Sequence, residues 1–321
     1  MKFRKDPEMR ALEPTGLDEA MVAFAEVPEP EPQADEVVVE VDAFSVNRGE
    51  TFLLASPRPG WRPGKDVAGR VVRAAADGSG PAEGSRVVAH PPAAGWAERV
   101  AVAARSTAVL PKSVDAATAA VLPLAGITAV RLLRQSGAAA GDRVLITGAS
   151  GGVGHYVTEL AAAAGIEVTA VTATPERGER LAALGAAQVV QSVAEAKGPF
   201  QVVLESVGHE VLPATLPLLT SGGRLIWFGQ ASRQPSALNF FHFFRKPDQD
   251  PFAVTLEHFD YTRGERSYGE ELAELVDLVA TGRLHPEIGL RGDWTGAAEA
   301  IAALRARTVR GNVVLTTGEG A

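Results

Sequence analysis

The sequence predicts an α/β protein: a doubly wound parallel sheet preceded by a mostly β portion. Three observations predict it. A complete strand, turn, helix and strand run from Val144 to Val171. Two further apolar runs, Phe200 to Gly208 and Gly223 to Gly229, each end in glycine. The texture also changes near Leu124, with turn-punctuated β-branched runs before it and helical spacing from Ala116 onward.

In the first of these, Val144-Leu-Ile-Thr147 runs straight into Gly148-Ala-Ser150-Gly151-Gly152-Val153-Gly154. Val153, Val157, Leu160, Ala161 and Ala164 then mark one buried helical face, the helix is expected to stop at Gly165, and Ile166 to Val171 reads as a parallel second strand. The glycines have separate jobs. The small Ala149 lets the chain turn, Gly151 leaves the backbone bare for a pyrophosphate, and Gly154 lets the helix pack closely on the strand. Freed N–H groups at the helix start face a diphosphate, helped by the helix dipole. A turn that merely packs strand on helix would carry similar glycines, but the place inside a βαβ unit favours a dinucleotide. Ser150, Gly151, Gly152 and Val153 are its expected contacts.

A length of 321 residues admits two domains. A net charge of −8 without a basic tract argues against nucleic acid as a partner. No apolar run reaches bilayer length and none resembles a signal peptide, so a cytoplasmic protein without a membrane partner is expected. The absence of cysteine excludes disulfides, cysteine-based zinc sites, iron–sulfur clusters and a thiol nucleophile. The six histidines, His90, His155, His209, His242, His258 and His285, are scattered, and no metal is expected.

Before Leu124 the strand signals are Glu36 to Asp42, followed by Ala43 to Asn47, then Val67 to Ala76 and Arg86 to Ala89; Ala75 to Gly84 reads as a surface loop. One helix is expected from Ala116 through Leu133. Thr174 can cap a helix that has Pro175 at its first position and runs to Gly185. A helix from Tyr268 to Ala280 and a strand from Gly311 to Thr316 close the chain.

Taken in order, Val46-Asn47, Gly64-Lys65-Asp66-Val-Ala-Gly69-Arg-Val, Gly95-Trp96-Ala-Glu98, Leu124-Ala-Gly-Ile-Thr128, Gly151-Gly-Val-Gly154 and Gly311-Asn312-Val-Val-Leu resemble the medium-chain dehydrogenase/reductase superfamily. Within it the chain is similar to the zinc-independent quinone oxidoreductase, or zeta-crystallin-like, branch. The resemblance implies a GroES-like catalytic domain from residues 1–124 and 263–321, a Rossmann NADP-binding domain at 125–262, an active site in the cleft and a homodimer. It also implies that Asn47, Lys65 and Leu124 stand where zinc-dependent relatives carry their metal ligands. These three do not form such a site, and only a short His90 to Ala97 connection stands where a cysteine-rich zinc lobe would be.

An NAD site usually places a carboxylate at the end of the second strand, about 20 residues beyond the glycines. Thr172 stands there and admits a 2′-phosphate, so NADPH is the expected cofactor. Arg177, at a position commonly basic in the resembled branch, opposes the helix dipole and would be repaid by that phosphate; a solvated surface arginine is the alternative, and Glu176 weakens the case by its sign. Thr128 matches a threonine near the nicotinamide, or is a helix-buried hydroxyl. Val207, Phe228 and Gly229 fall at C-terminal strand ends and should line the nicotinamide; Thr174 and Asn312 complete the expected cofactor set.

Without a metal, an alkoxide would have no Lewis acid to stabilise it, whereas conjugated acceptors spread the developing charge. The expected substrate is an apolar conjugated small molecule, a quinone or an α,β-unsaturated carbonyl. Asn47 and Lys65 are the candidate donors to the enolate oxygen, with a solvated Lys65 in a turn beside Asp66 as the alternative. Many quinone reductases carry a tyrosine five residues after the asparagine; here Phe52 stands there, which leaves Tyr261, Tyr268 or water as proton source, Tyr268 being the residue assigned. Asn239 to Phe244, with four phenylalanines around His242, reads as core or interface, or else as a substrate wall. The rival functions are a specialised biosynthetic double-bond or imine reductase, and a catalytically weak NADPH-binding sensor or RNA-binding protein.

Overall fold

The computed structural model describes residues 8–239, 241 and 253–318. They divide into one unit within Met1–Ile127 and Glu265–Ala321 and another within Thr128–Gly264.

The first unit opens with an antiparallel hairpin of β1 (Glu8–Pro14) and β2 (Val22–Pro28). The two strand signals expected around Asp42 are one strand, β3 (Glu36–Val46). Its ladder to β4 (Val67–Arg73) slips between Val41 and Ala43. The irregularity absorbs the break in alternation without ending the strand. Helix α1 (Arg48–Leu54) follows β3, and β5 (Arg86–Ala89), β6 (Arg99–Ala103) and β7 (Thr107–Val109) complete this half. Phe44 stacks on Trp96 at 5.6 Å, and the Trp96 indole donates to the Ser45 carbonyl at 2.9 Å. This fixes the end of β3, from which Ser45 and Asn47 extend.

The single helix expected from Ala116 is instead two, α2 (Ala116–Ala120) and α3 (Pro123–Ser136). Pro123 has no N–H for the ladder and its ring crowds the carbonyl four residues back; at the first position of a new helix neither costs anything.

The second unit runs β8 (Arg143–Ile146), α4 (Gly152–Ala163), β9 (Glu167–Val171), α5 (Pro175–Ala183), β10 (Gln188–Val190), β11 (Phe200–Glu205), α6 (Val211–Thr215), β12 (Leu219–Trp227) and β13 (Thr255–His258). Its six strands are parallel in the order β10-β9-β8-β11-β12-β13. The chain therefore winds outward from β8 in one direction and from β11 in the other, which makes the C-terminal ends of those two neighbours the switch point of the sheet. Leu145, Val203 and Leu225 are fully buried, as expected of strands covered on both faces. Strand β12 begins at Leu219 rather than at Gly223. Gly222 takes φ +76° where the register against β11 shifts, and this glycine pair breaks the apolar pattern.

Helix α7 (Tyr268–Ala280) has the limits that its spacing predicts. A capping box sets its start: Ser267 Oγ accepts from Glu270 N at 3.3 Å, and the Glu270 carboxylate accepts from Ser267 N at 2.8 Å. After β14 (Ile288–Asp293) and α8 (Ala297–Arg305), β15 (Asn312–Thr316) pairs parallel to β14 and antiparallel to β3. The last segment thus joins the N-terminal strands in a seven-stranded sheet, β14-β15-β3-β4-β5-β7 with β6 on β3. Of the aromatic stretch, Asn239 and an exposed Phe241 are described; Phe240, His242, Phe243 and Phe244 lie outside the described residues. No helix among the described residues is long and apolar enough to cross a membrane.

Candidate active site

The glycine turn follows β8 at the switch point. The left-handed residue is Gly148, at φ +62°, so the turn is made one residue before Ala149. Ala149 is instead buried, its N–H donating to the Val171 carbonyl at 3.0 Å, which ties the turn to the end of β9. A side chain on Gly154 would lie 2.2 Å from the Ala149 carbonyl oxygen, whereas one on Gly151 would meet nothing nearer than 3.4 Å. Gly154 is thus the packing glycine and Gly151 the bare one. His155, one turn into α4, holds the Gly151 carbonyl at 2.9 Å from Nδ1. The first residues of α4, Gly152 and Val153, present their N–H groups at the helix start, where an anion is favoured.

Beside this turn, Thr172 is 3 % exposed, and its buried Oγ1 has no hydrogen-bond partner. Thr174 caps α5 by accepting from Arg177 N at 3.4 Å. Arg177 Nε donates to Ser150 Oγ at 3.0 Å, so this half-buried side chain lies back over the glycine turn. Arg177 and Ser150 are thereby brought together, and Thr172 directly follows Val171, whose carbonyl ties the turn to β9. The bare Gly151, the start of α4 and the unmatched Thr172 hydroxyl are a donor set that fits a diphosphate and an adjoining ribose.

At the end of β11, Glu205 is fully buried and accepts from Val207 N at 2.8 Å, from Gly208 N at 3.1 Å and from Thr147 Oγ1 at 3.1 Å. Burial pushes its carboxyl above the usual carboxylate range. This one carboxylate shapes the Ser206 to Gly208 turn and clasps it to the end of β8. Phe228 N donates to the Glu205 carbonyl at 2.9 Å, and Gly229 approaches Ser206 so closely that a side chain there would meet its carbonyl oxygen at 3.1 Å. Thr128 is buried in α3. A carboxylate ending an otherwise apolar strand was the legible sign of Glu205, and reading that strand only for its glycine passes over it.

The first unit holds a second cluster, centred on Asp66, which is fully buried. Its Oδ2 accepts from Ser45 Oγ at 2.7 Å and Asn47 Nδ2 at 2.6 Å; its Oδ1 accepts from Leu124 N at 2.9 Å and lies 3.2 Å from His90 Nδ1. Asn47 Nδ2 also has Ser45 Oγ at 3.2 Å and Glu50 Oε2 at 3.4 Å. Glu50, 1 % exposed, accepts from Gly64 N at 2.8 Å and Asn47 N at 3.2 Å. Burial, reinforced by the charge of Asp66, pushes its carboxyl up to about 7. Lys65, half-buried, precedes Asp66. Tyr268, half-buried at the start of α7, meets the His90 ring edge-on at 4.8 Å between centroids. Asn312 belongs to this unit also, its Nδ2 donating to the Glu287 carbonyl at 3.0 Å. Ser45, Glu50 and His90 escape a reading by motif because the groups that meet at Asp66 are far apart in the chain.

A doubly wound sheet with a glycine turn at its switch point thus lies in the chain between the two segments of a mostly β unit. Residues 33–162 match the family model of the alcohol dehydrogenase GroES-like domain, and residues 152–249 that of zinc-binding dehydrogenase. The chain is 34% identical over 234 residues to a quinone oxidoreductase of Rattus norvegicus, covering 67% of this chain and 70% of that one. It is 32% identical over 268 residues to the polyketide synthase GfsB of Streptomyces halstedii, covering 79% of this chain and 4% of that protein. Among solved structures it is similar to mycobacterial Rv1454c complexed with NADPH, with a TM-score of 0.85 at 26% identity over 97% of this chain and 100% of the other. The Escherichia coli quinone oxidoreductase shares the fold, with a TM-score of 0.83 at 21% identity over 96% of this chain and 100% of that one. The chain belongs to the medium-chain dehydrogenase/reductase superfamily, in its quinone oxidoreductase branch. It is accordingly an oxidoreductase with a GroES-like portion and a small-molecule substrate.

Proposed function

We propose that this protein is a metal-free, NADPH-dependent reductase of quinones or α,β-unsaturated carbonyls, with its catalytic domain in the first unit and its nucleotide domain in the second. One observation carries the choice of cofactor: Arg177 is drawn onto Ser150 of the glycine turn, beside a Thr172 that brings no negative charge. A 2′-phosphate would meet a cation and a hydroxyl there, whereas a carboxylate at 172 would repel it. The NADPH of the mycobacterial neighbour is consistent with this reading.

The reduced nicotinamide, when bound, supplies a hydride. Ser150, Gly151, Gly152 and Val153 hold the diphosphate, with Thr172, Thr174 and Arg177 around the adenosine ribose. Glu205 shapes the Val207 turn so that it, Thr128, Phe228 and Gly229 line the nicotinamide side. Lys65 offers an ammonium to the oxygen that gains charge, and Tyr268 donates the proton. Asn47 holds Asp66 in place through its carboxamide. The metal-free reading rests on donor chemistry, since Asn47, Lys65 and Leu124 occupy the positions at which the zinc-dependent relatives bind their metal, and an amide, an ammonium and an alkyl chain do not make a zinc site.

The names of the quinone oxidoreductase relatives support a conjugated acceptor. The match to a segment of a polyketide synthase favours a second reading, reduction of a carbon–carbon double bond in a biosynthetic intermediate. Following NADPH absorbance with quinones, simple enones and long-chain enoyl thioesters separates the two. Turnover of quinones and enones is expected; activity confined to the thioesters would establish the second reading, and no oxidation of NADPH by any of them would end both. A homodimer is expected from size-exclusion chromatography with light scattering.

A further inference from the structure

Three residues before Lys65, Arg62 is half-buried, and its Nη1 is shielded from solvent with no hydrogen-bond partner among the described residues. We propose that Arg62 binds an oxyanion, a carboxylate or phosphate carried by the substrate; the proposal rests on the reductase reading above and gives the conjugated acceptor a charged end.

A buried donor without an acceptor costs free energy, and more so when the group is charged. A lysine or a carboxyl can escape that cost by giving up its charge, but a guanidinium does not deprotonate. Other half-buried arginines in this chain are matched: Arg99 Nε donates to the Glu29 carboxylate at 2.8 Å, and Arg224 Nη2 to that of Glu257 at 2.7 Å. The sequence holds 39 acidic residues against 31 basic ones, so carboxylates are in ample supply, yet Arg62 Nη1 takes none among the described residues. The partner that the group lacks is then an anion from outside the chain. A planar fork of N–H donors fits a carboxylate or a phosphate better than it fits a neutral carbonyl.

The backbone around Arg62 is held on both sides. Ala94 N donates to the Arg62 carbonyl at 3.0 Å, Trp96 N to the Pro63 carbonyl at 3.2 Å and Gly95 N to the Gly64 carbonyl at 2.9 Å. Trp61 packs on the hydrophobic core of the first unit, and Pro63 and Gly64 are buried. Gly64 takes φ +113° so close to the facing loop that a side chain on it would lie 2.2 Å from Trp96 N. Glu50, which accepts from Asn47 N, also accepts from Gly64 N at 2.8 Å. Arg62 is therefore set on the same fixed turn as Lys65, the residue proposed to meet the oxygen that gains charge. Three residues of chain reach at most about 11 Å, the span of one small molecule, so the two ends of a substrate can serve the two cations.

Three acceptors built on one enone test this in turnover with NADPH: one with a carboxylate on a saturated side chain, the methyl ester of that acid, and one with a phosphate monoester on the same chain. Wild type should favour the carboxylate or the phosphate over the ester by about tenfold or more in kcat/KM, and the better of the two identifies the oxyanion. Arg62→Gln should remove that preference, and Arg62→Lys should restore part of it. Wild type converting the ester as well as both anions, or Arg62→Gln keeping the preference, would overturn the proposal. A fall in affinity for NADPH but not NADH in Arg62→Gln would overturn it too, because the anion would then belong to the cofactor. A second readout needs no turnover. Inorganic phosphate or acetate, added at constant ionic strength, should raise the Tm of wild type by about two degrees more than that of Arg62→Met, and an equal rise in both would count against the site. Failure of the functional reading looks different: wild type would reduce none of the three acceptors, while the anion-dependent difference in Tm would remain.

Discussion

At the end of β9 Thr172 brings a hydroxyl and no charge, and the Arg177 guanidinium lies on the glycine turn. A charge-assisted hydrogen bond contributes about 1.5–3 kcal/mol. Arg177→Ala should therefore raise the KM for NADPH by about 10- to 100-fold and leave that for NADH unchanged; an unchanged ratio would remove Arg177 from the site. Thr172→Asp should invert the preference, measured in the same assay. Glu50 makes a different residue-level prediction. Its carboxyl is pushed up to about 7 in the fold, so the folded state binds more protons than the unfolded one above the ordinary value of 4.5. The associated stability is fully present below that value and is lost as pH rises through 7. About 3 kcal/mol should disappear between pH 4.5 and 8, and Glu50→Gln should flatten that part of the Tm-against-pH curve. Thr172 and Arg177 were legible because a helix cap and a strand end fix their places by counting. The role of Asp66 was not, because its partners at 45, 47, 90 and 124 meet only through the strand pairing.

For the elements, the βαβ unit offers two glycines that look equivalent in the sequence and differ in space. Gly154→Ala forces a methyl against the Ala149 backbone and should lower Tm by ten degrees or more, or prevent folding. Gly151→Ala meets nothing nearer than 3.4 Å, so its Tm should stay within about two degrees of wild type while NADPH affinity falls at least tenfold. Thermal melts and fluorescence titration together check the pair; equal loss of stability in both would refute the division of roles. Elements with strong period or punctuation, such as α5 and α7, were legible to within a residue or two. The break at Pro123 and the early start of β12 were not, since a proline inside an aliphatic run and a glycine pair inside a strand each perturb the pattern that identifies the element. The β1–β2 hairpin and α8 were passed over altogether. In the first, the successive buried residues Ala11 and Leu12 break the alternation that Glu8 to Ala11 begins, and α8 buries only the narrow face of Ala297, Ala300 and Ile301.

At the scale of the whole molecule, the winding order of the sheet follows from the βαβ unit and the glycine-ended strands, so the second unit was the readable one. The return of residues 312–316 to pair with β3 is a contact between distant parts of the chain; family resemblance pointed to it, and local pattern did not. On the metal-free proposal, a molecule with no cysteine, in which Asn47, Lys65 and Leu124 are taken to stand at the ligand positions, should be indifferent to chelators. Purified protein is expected to carry less than about 0.1 zinc per chain by elemental analysis and to keep its turnover after EDTA. Stoichiometric zinc, or activity lost to EDTA and restored by zinc, would reverse the metal-free reading.

The clasp at Glu205 reaches further than one turn. Cutting it would strand two backbone N–H groups, at about 1–3 kcal/mol each, and shortening Thr147 would leave the acid a donor short. Neither position can drift alone, so in descendants of this chain 147 and 205 should be inherited as a couple. Lineages that change coenzyme would do so at 172 and 177, where substitution disturbs no such knot.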